Sequence, residues 1–200
     1  GGAQYLSMKR LCVFCGSSRG NSPAFIAAAR ELGEGIAARG MELVFGGSHV
    51  GLMGVVADAV LARGGQVTGV LPRFMADKEL AHLNLTQLHL VDTMHERKQR
   101  MAELAEGFVA LPGGFGTLEE IFEAITWSQL HLHAFPCALL NVAGYYDALV
   151  EFLRVPVANG FVRREQFESR IVATGVEELF QRFAEFRPEK TEKWIPKEMI

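Results

Sequence analysis

Three times in the first 120 residues, a short apolar run ends in a cluster of glycines and then becomes a helical pattern. No other feature narrows the fold as much. Arg10 to Cys15 runs into Gly16-Ser17-Ser18-Arg19-Gly20, Met41 to Phe45 into Gly46-Gly47-Ser48-His49-Val50-Gly51-Leu52-Met53-Gly54, and Gly107 to Leu111 into Pro112-Gly113-Gly114-Phe115-Gly116. Strands apolar along their whole length are buried on both faces, and strands alternating with helices belong to a parallel sheet with crossover connections.

The remaining pattern fits the same scheme. Helices are expected over Pro23 to Ala38, with Ser22 as cap, Pro23 in the first turn and Gly40 past the end, then over Leu52 to Arg63, Thr93 to Glu106, Thr117 to Leu130, Tyr146 to Ala158 and Val176 to Phe186. Further strands are expected at Gln66 to Leu71, Gln87 to Val91, Cys137 to Asn141 and Ile171 to Ala173, with Pro72 to Leu85 irregular. The predicted class is α/β, a single-domain, doubly wound, mostly parallel sheet with helices on both faces (Rossmann-like). It covers residues 8–187, with residues 1–7 read as an expression scar and residues 188–200 as a loose C-terminal tail. Glycine-rich turns at the carboxyl ends of such strands place a ligand crevice at the topological switch point.

Composition limits the partners. At 200 residues, 49% hydrophobic and 22% charged, the chain has the makeup of an ordinary globular domain. A net charge of −3 gives no general attraction to nucleic acid or to a membrane surface, so cations that hold a phosphate must be gathered locally. No apolar run approaches the roughly 18 residues of a membrane span, and a cytoplasmic protein is expected. Three cysteines do not make a disulfide framework. Cys12 and Cys15 spell C-x-x-C, but inside a strand they point to opposite faces and read as core thiols.

Chemistry is expected where Leu111 turns through Gly113-Gly114-Phe115-Gly116 into Thr117-Leu118-Glu119-Glu120. Unpaired N–H groups at a helix N-terminus carry about half a positive charge and form an anion cradle, and glycines admit the ligand closely. The same letters fit a T-x-x-E capping box in which Glu120 merely starts the helix. Upstream, Arg97 shares an apolar stripe with Met94, Met101 and Leu104, where an arginine must snorkel, pair or hold a ligand. A dinucleotide G-x-G-x-x-G and a G-x-x-x-x-G-K-[ST] phosphate loop are both missing, and the six histidines, His131 and His133 among them, match no metal-ligand spacing.

Two motifs carry a family resemblance. Pro112-Gly113-Gly114-Phe115-Gly116-Thr117-Leu118-Glu119-Glu120 matches P-G-G-x-G-T-x-x-E, and Met94-His95-Glu96-Arg97-Lys98 matches M-H-x-R-K. Together they resemble the LOG (LONELY GUY) family of cytokinin-activating nucleoside monophosphate phosphoribohydrolases, once labelled lysine decarboxylases. The similarity runs from about Lys9 to Phe186 and takes in Cys15-Gly16-Ser17-Ser18, Gly51-Leu52-Met53-Gly54, Ile125-Thr126-Trp127 and Leu140 to Tyr146. One departure is Ser48, where the family usually has a third glycine.

The resemblance implies hydrolysis of the N-glycosidic bond of adenosine 5′-monophosphates, N6-substituted ones included, without cofactor or metal. It places catalysis on Arg97 and Glu120. It places nucleotide binding on Glu79, Lys98, Gly113, Gly114, Phe115, Gly116, Thr117, Leu118, Glu119 and Thr126. It also implies a homodimer or higher assembly whose helices complete each other's sites; Phe122, Ile125, Trp127 and Leu130 are either core or such a contact. An Arg97 that pairs with Glu120 or the ribose phosphate would orient the site and help keep the carboxylate ionised by lowering its pKa. The alternative is a carrier module similar to molybdenum cofactor carrier proteins, which needs the turn but not the acid. A pyridoxal-phosphate decarboxylase, with its Schiff-base lysine in a larger fold, fits poorly.

Overall fold

The computed structural model describes residues 8–78 and 80–188. The candidate residue Glu79, the expected scar and the tail from residue 189 onward lie outside them. Seven strands form one parallel sheet in the order β4-β3-β2-β1-β5-β6-β7. They are β1 (Arg10–Phe14), β2 (Glu42–Phe45), β3 (Gln66–Pro72), β4 (Gln87–Val91), β5 (Phe108–Ala110), β6 (Cys137–Leu140) and β7 (Ile171–Ala173). The chain builds outward from β1 to β4, then returns to the other side of β1 with β5, so the switch point lies between β1 and β5.

The period of two along each strand decides which helices cover which face. Leu11 and Val13 of β1, with Leu43, Phe45, Val109 and Leu111, pack under α1 (Pro23–Ala38), α2 (Gly51–Ala62) and α9 (Val176–Glu185). Cys12 and Phe14, with Val44, Val70, Phe108 and Ala110, pack under α4 (Met94–Leu104) and α5 (Phe115–Gln129). Cys12 and Cys15 are free, buried and in opposite cores, as the strand period required.

Helix α1 starts as expected, with the Ser22 hydroxyl accepting from the Ala24 N–H and Pro23 in the first turn. The predicted helix Tyr146 to Ala158 is instead two, α6 (Asp147–Phe152) and α7 (Arg154–Ala158). Pro156 explains the break, since it lacks an N–H and its ring crowds the carbonyl of Phe152. Two short helices escaped the pattern, α3 (Arg73–Ala76) inside the stretch read as irregular and α8 (Arg164–Glu168); at four and five residues neither is long enough to show a period.

Helices α1 and α2 touch through Gly33, where an added Cβ would lie 2.6 Å from the Val56 carbonyl oxygen and 2.7 Å from the Ala59 Cβ. An Ala at a helix interior normally gains about 1 kcal/mol over Gly. Here the overpacking term of about 1–3 kcal/mol outweighs it. G33A is therefore expected to lower the unfolding free energy by about 1–2 kcal/mol in urea titration, and a stabilised variant would contradict this contact.

Candidate active site

Three glycine-bearing loops meet at the carboxyl ends of β1, β2 and β5. The Gly16 N–H donates to the Pro112 carbonyl at 3.1 Å, and the Leu52 N–H donates to the Gly16 carbonyl at 3.0 Å. The approach is close enough that a Cβ on Gly51, whose φ is +58°, would sit 2.3 Å from the Ser17 carbonyl carbon. Only glycine relieves both the backbone and the contact there.

Helix α5 begins at Phe115, capped by the backbone of Gly114 and no side chain, with no acid in its first turn. This corrects the capping-box alternative, because with Gly114 as N-cap Thr117 occupies the third helical position and Glu120 lies beyond the first turn. Thr117 is buried, its Oγ1 where a Cβ on Gly113 would come within 2.1 Å. The capping box lies one helix earlier, where Thr93 and Glu96 bond each other's backbone at the start of α4. The first intrahelical bond of α5 runs from the Leu118 N–H to the Gly114 carbonyl. The N–H groups of Phe115, Gly116 and Thr117 are thus left as donors without acceptors among the described residues.

Arg97 is 7% exposed in the interior beside this turn. Its Nε donates to the Val70 carbonyl at 3.0 Å, its Nη2 to the Gly46 carbonyl, and its Nη1 faces the Met75 thioether at 3.9 Å. Snorkelling is excluded. Direct pairing with Glu120 is not found either, since no nitrogen of Arg97 lies within 4.0 Å of a Glu120 oxygen. The two charges still act on each other. Burial pushes the Glu120 carboxyl from its ordinary 4.5 up to about 7, opposed by the Arg97 guanidinium. Burial lowers the pKa of Arg97, and Glu120 raises it. Arg97 does lower the carboxyl's pKa, as expected, but without a direct pair desolvation outweighs it, and Glu120 is divided between its two forms near neutral pH.

Lys98, the next residue, turns away to bond Glu119 and Glu123, the latter at 2.9 Å, tying α4 to α5. The Glu119 bond is the main cause of its raised pKa. Gly114, Phe115 and Gly116 are exposed, Gly113 and Leu118 half-buried, and Leu118 packs on the α4–α5 core. Thr126 is exposed, with its hydroxyl donating to the Phe122 carbonyl at 2.7 Å. Being seven residues from Glu119 and six from Glu120, it shares the face of Glu119 and not that of Glu120. Among the described residues, no cluster of three His, Cys, Asp or Glu side chains could hold a metal ion, and no helix is long and apolar enough to cross a membrane.

The supports of the turn had no sequence signal beyond the similarity of Leu140 to Tyr146. The Tyr146 hydroxyl donates to the Leu111 carbonyl at 2.6 Å, and that of Tyr145 to the Gly113 carbonyl. Asn141 holds the Tyr146 N–H and the Asp147 carboxylate at 2.7 Å each, while Ala143 takes a left-handed φ of +50° to turn the chain. The partners of Arg97 were equally hidden, because backbone carbonyls carry no residue-type signature.

A buried guanidinium near an unpaired carboxyl, together with a bare helix N-terminus at the switch point, defines an α/β protein with a candidate site at the carboxyl ends of its strands. The comparisons narrow the class. Residues 53–183 match the family described as "Possible lysine decarboxylase". A protein of Oryza sativa subsp. japonica named "Probable cytokinin riboside 5'-monophosphate phosphoribohydrolase LOGL9" is 45% identical over 94% of this chain and 83% of its own length. The Arabidopsis thaliana "Cytokinin riboside 5'-monophosphate phosphoribohydrolase LOG7" is 44% identical over 90% of this chain and 83% of its own. The chain belongs to this LOG family. Among solved structures, the molybdenum cofactor binding protein of Rippkaea orientalis superposes with a TM-score of 0.67 at 19% identity, covering 88% of this chain and 95% of that one. The molybdenum cofactor carrier protein of Chlamydomonas reinhardtii gives 0.65 at 20%, covering 86% and 94%. At that identity the likeness is one of fold.

A carboxyl whose native pKa is raised binds its proton more tightly in the folded than in the unfolded chain, so its contribution is present below the unfolded pKa and is lost as pH rises through the folded one. Glu120→Gln removes this loss. The Tm of E120Q is expected to exceed that of the wild type by a margin that opens between pH 4.5 and about 7 and then levels off. The shift corresponds to about 3 kcal/mol at most. A margin independent of pH in calorimetric scans would contradict the burial of Glu120.

Proposed function

We propose that this chain hydrolyses the N-glycosidic bond of adenosine 5′-monophosphates, including N6-substituted ones, to free base and ribose 5-phosphate. The observation that carries the reading is Glu120: a half-buried carboxyl without a hydrogen-bond partner, raised to about 7 and held beside Arg97 over the unpaired amides of α5. The names of the relatives point to the same reaction. In the proposed complex, the 5′-phosphate lies on the N–H groups of Phe115, Gly116 and Thr117 and on the positive end of the helix. Cleavage builds positive charge on the ribose, and the Glu120 carboxylate favours that charge more in the transition state than in the ground state. Water adds its hydroxyl to the anomeric carbon, and its proton balances the one taken up by the departing base. Arg97, fixed by two carbonyls, opposes protonation of Glu120 and adds positive potential toward the phosphate.

Gly114 and Gly116 support the phosphate assignment. A Cβ on either meets no atom within 4 Å, and neither has a positive φ. Nothing inside the protein requires glycine at these positions, so the space is read as the ligand's. G116A is therefore expected to raise the unfolding free energy by up to about 1 kcal/mol through helix propensity, and to raise KM about tenfold. An unchanged KM would overturn the phosphate site.

Release of base from adenosine monophosphate and isopentenyladenosine monophosphate, followed by chromatography, tests the reaction itself. E120Q is expected to lose about 10²–10³ in kcat. Undiminished release would remove Glu120 from the mechanism, and nucleotide recovered intact with the wild type would favour a carrier.

The assembly proposed is a homodimer in the cytoplasm, where the three free cysteines stay reduced. Thr126 lies on a face of α5 away from Glu120, so its nucleotide contact would be made in a partner's site. Beside that face, a cleft of about 600 Å³ between α4 and α5 is lined by Lys98, Glu123, Trp127, Leu132 and Phe135. Light scattering is expected to give at least twice the chain mass; a monomer at working concentration would contradict the proposal.

A further inference from the structure

Ser48 stands in the second glycine turn with no solvent exposure, and its hydroxyl has no place in the reaction above. Its Oγ donates to the Leu80 carbonyl at 2.8 Å and accepts from the Val50 N–H at 3.3 Å. Main-chain bonds run alongside: the His49 N–H donates to the Leu80 carbonyl at 3.1 Å and the His82 N–H to the Gly47 carbonyl at 2.9 Å, with Ser48 and Ala81 in an antiparallel bridge. The segment held this way continues the backbone of α3, where the Leu80 N–H donates to the Met75 carbonyl at 3.4 Å.

Both ends of this arrangement reach Arg97. Two residues before Ser48, the Gly46 carbonyl accepts from the Arg97 Nη2, and Met75, on the held segment, faces the Arg97 Nη1. The site around the guanidinium is tight, since a Cβ on Gly46 would fall 2.2 Å from Nη2. We propose that Ser48 is a positioning residue for Arg97, its hydroxyl locking the β2 turn to the α3 segment so that the Gly46 carbonyl and the Met75 thioether close on the guanidinium from both sides. The proposal rests on the catalytic reading of Arg97 and Glu120, and assigns to Ser48 the orientation of that pair. A hydroxyl at a buried turn holds one geometry better than backbone bonds alone, because it removes a degree of freedom that glycine would leave open.

The consequence is electrostatic. Glu120 feels Arg97 and Lys98 from α4 and Glu119 and Glu123 from its own helix, while the nearby thiols of Cys12 and Cys15 in the β1 region, pushed up by burial and by Glu120, stay neutral. Of these, Arg97 opposes protonation most, so a guanidinium that drifts lets the carboxyl hold its proton to higher pH.

The test compares wild type, S48A and S48T by the pH dependence of kcat/KM for adenosine monophosphate and, without substrate, by NMR titration of the Glu120 side-chain carboxyl carbon. S48A removes the bond to Leu80 but keeps the two main-chain bonds, and its Tm is expected to fall by roughly 5 °C. In S48A the Glu120 midpoint and the acid limb of kcat/KM should rise together by at least about half a pH unit; in S48T, which keeps the hydroxyl, both should return to the wild-type position. If S48A titrates like the wild type while its rate falls, or S48T behaves like S48A, Ser48 is a packing residue only and the proposal is overturned. If the wild type releases no base, the hydrolase reading fails by itself, and the carboxyl titration still decides the role of Ser48.

Discussion

A guanidinium held in the interior by backbone carbonyls is the constraint on which the site depends. Arg97 reaches Val70 on β3 and Gly46 in the turn that follows β2, so its two carbonyl partners come from neighbouring parts of one sheet. A buried cation is tolerated when its N–H groups are satisfied and a counter-charge is near. The carbonyls supply the first condition and Glu120 part of the second. Because carbonyl dipoles and not a carboxylate hold Arg97 in place, Glu120 stays unpaired, and an unpaired carboxyl behind a buried cation is available for chemistry.

The parallel sheet makes this convergence possible. All seven strands deliver their following loops to one end, and the reversal at β1 and β5 leaves a crevice there. Into it come the Gly16 loop, the Gly46 turn and the Gly113 turn, each braced by backbone bonds to another. Tyr145 and Tyr146 brace the last turn from behind through the carbonyls of Gly113 and Leu111. The bare N-terminus of α5 thus sits on a stiff support, the condition for presenting N–H groups to an anion without reorganisation.

Much of this was legible in the residues. Continuous apolar strands, glycine turns and the Ser22-Pro23 start express the physics of parallel sheets and helix caps, and the sheet and α1 followed accordingly. Arg97 betrayed itself as a charge on an apolar stripe. The start of α5 was misplaced by two residues because Thr117 and Glu120 imitate a capping box, while the actual cap is a glycine backbone that spells nothing. The pull of Arg97 on the Glu120 carboxyl was legible in the residues, but the depth of burial was not, and burial is the larger effect. Carbonyl partners, the Tyr145 and Tyr146 braces and the Ser48 bond to Leu80 depend on loop paths that no local pattern encodes.

The central claim is that Glu120 is desolvated and unpaired beside Arg97. The most direct measurement is the carboxyl carbon shift of Glu120 followed by NMR from pH 4 to 9 in the ligand-free wild-type protein. A midpoint near 7 is expected. A midpoint at 4.5 or below, the ordinary range of an exposed or firmly ion-paired glutamate, would contradict it.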